Sequence, residues 1–137
     1  MVLCSGMNAT PIVWLEGSWS TNVLPSAVGI EVGGGEMLTV LERGTALPAT
    51  SSCRVTTTAD FQTVINVRVF YGEFRQTQRN TLVDGVLLPK ISRRKKGEVD
   101  LKLELTVDVD GQVTLRAEEV NSDVAWKVHV FRQRISK

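Results

Sequence analysis

The chain has 137 residues, 42% of them hydrophobic and 23% charged, and its 16 basic and 15 acidic side chains leave a formal net charge of +1. That length suits one domain around one core, and the charge balance gives no electrostatic reason to expect nucleic acid or an anionic membrane surface as the main partner. No apolar run approaches the roughly 20 residues of a membrane-spanning helix, and the N-terminus lacks the basic start and apolar stretch of a secretory signal. A cytoplasmic protein with reduced thiols at Cys4 and Cys53 is the expectation. One histidine and no Cys-x-x-Cys pair speak against zinc, so neither a metal nor a cofactor is expected in this chain.

Residues 1–22 are rich in Gly, Ser, Thr and Asn around Trp14 and Trp19, and read as a leader or linker with a short strand at 12–15. The domain proper is expected over residues 23–137. Strands are predicted at 26–32 and 36–42, joined by the tip Gly33-Gly34-Gly35, then at 52–58 and 63–71. In the last of these, Ile65, Val67 and Val69 alternate with Asn66 and Arg68, the period-two pattern of a strand with one buried face. Asp84-Gly85 and Pro89 punctuate a weaker strand at 81–88. Residues 92–97 carry Arg93, Arg94, Lys95 and Lys96 and read as an exposed loop.

Leu101, Leu103, Leu105 and Val107 alternate with polar residues in a strand at 99–107. Asp108-Val109-Asp110-Gly111 supplies a tight turn into a strand at 112–119. Val124, Trp126, Val128 and Val130 mark a final strand at 124–131, which places His129 towards solvent. About eight short strands without a strong helix predict an all-β fold, an antiparallel β-sandwich.

The order of several short segments resembles the substrate-binding β-domain of the DnaK-type heat-shock chaperones. Leu24-Pro25-Ser26-Ala27-Val28-Gly29-Ile30-Glu31 resembles that family's opening T-P-L-S-L-G-I-E, and Gly34-Gly35-x-Met37 follows. Arg43-Gly44-Thr45-Ala46-Leu47-Pro48 is similar to its K/R-N-T-x-I-P turn. Thr57-Thr58-Ala59-Asp60-Phe61-Gln62-Thr63 is similar to T-A-x-D-N-Q-T. Gly72-Glu73 and Asp108-Val109-Asp110-Gly111 match G-E-R and D-x-D-G. Val2-Leu3-Cys4-Ser5-Gly6 resembles the end of the family's ATPase domain, which would make Ile12-Val13-Trp14-Leu15-Glu16 the interdomain linker.

The resemblance implies a DnaK-type peptide-binding domain that takes extended hydrophobic peptide from unfolded proteins. Its pocket positions fall on Ile30, Val55, Ile65, Val67, Leu101 and Leu103, with Ile65 central. The same aliphatic residues would also suit a plain sandwich core. The two arch positions fall on Gly33 and Thr58, where the family has larger side chains, with Val32 adjacent; weaker peptide retention is expected. Asp60 matches an acid that latches the family's helical lid, and no lid sequence follows the eighth strand, which implies fast exchange.

Partners implied are unfolded or extended peptides, a co-chaperone or a nucleotide-binding domain; ATPase activity would belong to a nucleotide domain absent from this chain. The competing reading is a lidless regulatory domain, ribosome- or co-chaperone-associated, that holds no clients. Its cluster Arg93–Lys96 would then face ribosomal RNA, with steep salt dependence. Catalysis has little support: pairing His129 with Cys53 or a serine rests on composition alone. Asp108 and Asp110 supply too few ligands for a calcium loop.

Overall fold

The computed structural model describes residues 2–5, 23–131 and 135. Its strands are β1 (Val2–Ser5), β2 (Val28–Val32), β3 (Glu36–Leu41), β4 (Ala49–Val55), β5 (Val64–Tyr71), β6 (Thr81–Pro89), β7 (Leu101–Val107), β8 (Val113–Glu119) and β9 (His129–Val130). They form two antiparallel sheets, ordered β1-β4-β7-β8-β9 and β3-β2-β5-β6. The only other regular element among the described residues is a single 3-10 turn at Thr77–Arg79. The chain is thus an all-β protein, as its alternation predicts.

The alternation explains the layers. Leu101, Leu103, Leu105 and Val107 of β7 are buried, and so are Val113, Leu115 and Ala117 of β8. Val28 and Ile30 of β2 and Val67 and Val69 of β5 join them in one apolar cluster from the other sheet. Each such side chain taken fully out of water stabilises the fold by about 1.5–3 kcal/mol. The tip between β2 and β3 needs left-handed backbone, and Gly34 and Gly35 supply it at φ +85° and +71°. Between β7 and β8 the Asp108 carboxylate accepts hydrogen bonds from the Asp110 and Gln112 amides, both at 2.9 Å, and Gly111 takes φ +84°.

Two strands differ from expectation. The third predicted strand, 52–58, lies three residues earlier, as β4. Its buried face runs Ala49, Ser51, Cys53, Val55, so a buried serine interrupts the apolar alternation. Thr50 and Thr106 hydroxyls, 2.9 Å apart, tie β4 to β7 on the other face.

The last predicted strand shrinks to His129–Val130 plus a bridge between Ala125 and Glu118. Val124 and Trp126 keep the expected inward side, with Ala125 and Lys127 exposed, but from Val128 onward the faces are reversed. His129 pairs with Leu115, is half-buried and meets the Phe131 ring edge-on at 4.9 Å, whereas Val128 and Val130 are exposed. Phe131, fully buried, sets this parity, because a one-residue shift exchanges every side chain between faces.

Val2–Ser5 pairs along β4, with Cys4 opposite the buried Cys53, a juxtaposition that their sequence separation does not suggest. The strand expected at 12–15, Trp14 and Trp19 lie outside the described residues.

Glu119 closes β8 and anchors the 92–97 loop. Its carboxylate accepts bonds from the Ser92 amide (2.9 Å) and hydroxyl (2.5 Å). Burial alone would raise its pKa, but the Ser92 and Ser122 hydrogen bonds and the nearby Arg94 charge outweigh burial and hold it below the ordinary 4.5. The loop therefore starts from a fixed point on the sandwich.

Candidate functional site

The sheet containing β2 and β5 opens at one end. The β2–β5 ladder covers Val28, Gly29 and Ile30, paired with Tyr71, Phe70 and Val69, and then stops. Yet β2 continues to Val32 and β5 begins at Val64. Past the Ile30–Val69 pair the two strands keep their side chains but no longer share a ladder, which leaves a slot with strand backbone on both sides.

A cavity of about 220 Å³ occupies this end of the sandwich. Ile30 and Val32 come from β2, Val55 from β4, Ile65 and Val67 from β5, and Leu103 from β7. Both sheets contribute, so the cavity opens into the space between the layers. Its aliphatic side chains are graded in depth. Leu103, Ile30 and Val67 are buried and belong to the core, whereas Ile65 is half-buried and faces the open space. A dry cavity of roughly 150 Å³ already admits a benzene-sized guest, so this one has room for one leucine side chain.

Polar groups frame the opening. Thr56 carries a buried hydroxyl oxygen in the cavity wall that finds no hydrogen-bond partner among the described residues. Leaving such a group unmet costs about 1–3 kcal/mol. Gln62 braces the rim: its Oε1 accepts from the Thr58 amide at 3.1 Å, and its Nε2 donates to the Val64 carbonyl at 2.7 Å. Glu31, on the opposite side, is occupied by Arg68 at 2.8 Å and by the Thr77 hydroxyl at 2.6 Å.

Ile30, Val55, Ile65, Val67 and Leu103 therefore meet in one cavity. Leu101 does not: it is fully buried at the start of β7, opposite Val55, and belongs to the sandwich core. Val32, Gly33 and Thr58 all reach the cavity, the last two from separate loops. Gly33 is exposed, and a Cβ placed on it would meet nothing within 4 Å, so no side chain covers the opening from that loop.

Asp60 faces away from the cavity lining and accepts a hydrogen bond from the Lys96 amide at 2.8 Å. Gln62 was legible only as a letter of the resembling segment, and nothing local marks the Thr56 hydroxyl as unmatched.

Among the described residues no cluster of three His, Cys, Asp or Glu side chains is placed to hold a metal ion. No helix among them is long and apolar enough to cross a membrane.

The described residues thus form an antiparallel β-sandwich with an aliphatic cavity where one ladder stops. The chain belongs to the Hsp70 family: the profile described as Hsp70 protein matches residues 16–135. It is 35% identical over 109 residues to the chaperone protein DnaK of Halobacterium salinarum strain R1, and equally to that of strain NRC-1, covering 80% of this chain and 17% of each relative. It is 31% identical over 98 residues to the heat shock cognate HSP70 protein of Trypanosoma brucei brucei, covering 72% of this chain and 14% of that protein. The chain thus spans about a sixth of the length of these curated relatives.

Proposed function

We propose that this domain performs chaperone-type binding of extended hydrophobic peptide segments from unfolded proteins, in the cytoplasm, with one aliphatic side chain seated against Ile65. The observation that carries this reading is the coincidence of the aliphatic cavity with the end of the β2–β5 ladder. Extended peptide needs generic backbone partners and one selective pocket, and strand addition supplies both. Seating one leucine contributes about 1.5–3 kcal/mol, and backbone hydrogen bonds, the Thr56 hydroxyl among them, add to it. After ordering costs, affinity in the micromolar range follows, about −8 kcal/mol. Coupling to ATP or to a co-chaperone belongs to the same proposal, as a property of a longer protein.

Gly33 tunes retention. Its φ lies outside the left-handed region and its surroundings are open, so a larger residue fits there without strain. In a fluorescence anisotropy titration, a labelled leucine-centred peptide is expected to bind the native domain with micromolar Kd. Gly33→Leu should slow its dissociation about fivefold, since the new side chain partly covers the bound residue. Absence of binding by the folded native domain would remove the peptide-holding role and leave the partner-binding, client-free alternative.

A further inference from the structure

The rim of the cavity is backed by a cationic loop that the peptide-holding reading does not use. The loop at 57–62 has two sides. Thr58 and Gln62 line the cavity, while two backbone–backbone hydrogen bonds and one to the Asp60 carboxylate join the loop to residues 94–97. The Phe61 amide donates to the Arg94 carbonyl at 2.7 Å, the Lys96 amide donates to Asp60 at 2.8 Å, and the Gly97 amide donates to the Thr57 carbonyl at 3.2 Å. Arg93, Arg94, Lys95 and Lys96 are all exposed, and the loop that bears them is pinned by its main chain, leaving the side chains to solvent.

Arg94 lies near enough to Glu119 to lower its pKa, whereas Arg93, Lys95 and Lys96 enter none of the ion pairs among the described residues. Across the cavity, Glu31 is neutralised by Arg68. Asp60 and Glu98 accept hydrogen bonds from the Lys96 and Lys95 amides, so the four basic side chains outnumber the two carboxylates bonded to the loop's main chain. A chain of +1 net charge gathers a quarter of its 16 basic residues in these four consecutive positions.

From this juxtaposition we infer that the domain selects, among apolar peptide segments, those carrying acidic residues on the flank that crosses the 57–62 loop. This rests on the peptide-holding reading and deepens it. An extended peptide advances about 3.3 Å per residue, so two or three residues beyond the seated leucine bring an aspartate or glutamate over this loop. Phe61, 56% exposed at the same edge, offers an apolar contact to the intervening residue. Exposed charge pairs are individually weak and screened by salt, so the preference is a matter of a few pairs acting together at low ionic strength.

The test uses three labelled nonapeptides with the same central leucine and acidic, neutral or basic flanks, titrated against the native chain and against R93Q/R94Q/K95Q/K96Q. The expected result is about fivefold tighter binding of the acidic-flanked peptide than of the neutral one. That advantage should vanish in the variant and at high salt, while the neutral peptide binds both proteins alike. Equal binding of the three peptides by the native chain, or a preference for basic flanks, would overturn this inference and leave the groove reading standing. No binding of any of the three would overturn both. Tight, salt-sensitive binding of a single-stranded oligonucleotide that the variant loses, with no flank preference among the peptides, would reassign the loop to nucleic acid and also overturn it.

Discussion

Replacing Ile65 with phenylalanine is expected to weaken binding of a leucine-centred peptide by at least about tenfold while leaving the domain folded. Ile65 is half-buried and faces the cavity, whereas Leu103, Ile30 and Val67 behind it are part of the core. A phenyl ring at Ile65 therefore grows into the roughly 220 Å³ that the guest needs, not into packed side chains. Losing the seat for one leucine removes about 1.5–3 kcal/mol, which is a factor of ten to a hundred in Kd. Anisotropy titration gives the affinity, and urea unfolding shows that the midpoint moves little. Unchanged affinity in the folded variant would place the peptide elsewhere.

The second large effect is on stability, at Gly29. A Cβ at this position would lie 2.0 Å from the Leu38 carbonyl oxygen and 2.8 Å from its carbon, both backbone atoms of β3. Backbone of a paired strand has no rotamer with which to retreat, so Gly29→Ala must push β2 and β3 apart. The register already shifts between Val28 and Gly29, and the glycine is what lets the strands close over that irregularity. A loss of about 3 kcal/mol is expected, the upper part of the range for overpacking, read as a lower urea midpoint. Gly33→Ala, where a Cβ meets nothing, is the matched control and should change stability by less than about 0.5 kcal/mol. If the two variants unfolded together, the close approach of β3 would carry no weight. Because Ile30 follows Gly29 directly, the first variant should also disturb the cavity.

How much of this was legible in the sequence differs from element to element. The strands β7 and β8 could be read from Leu101 to Val107 and from Val113 to Glu119, because their buried faces are aliphatic without exception up to Glu119. The bounds of strand β4 are hidden in the sequence because Ser51 occupies a core-facing position, which only tertiary packing reveals. In the final segment Val124 and Trp126 face as the alternation predicts, but Val128 and Val130 look like core residues until buried Phe131 fixes the opposite parity.

For the site, the aliphatic positions could be aligned with a known pattern. Which of them reach open space could not, because Leu101 and Leu103 differ only in where β7 passes under the slot. The end of the β2–β5 ladder, the unmatched Thr56 hydroxyl and the bracing by Gln62 are relations between distant strands and loops, which no local spacing encodes.

The most direct measurement is a methyl chemical-shift map of the Ile, Leu and Val side chains during titration with an unlabelled leucine-centred peptide. Saturable shifts concentrated at Ile30, Val55, Ile65, Val67 and Leu103, with Leu87, Val128 and Val130 unmoved, are the predicted result. Saturable binding that shifts the exposed Leu87 or Val130 methyls and spares Ile65 would contradict the account.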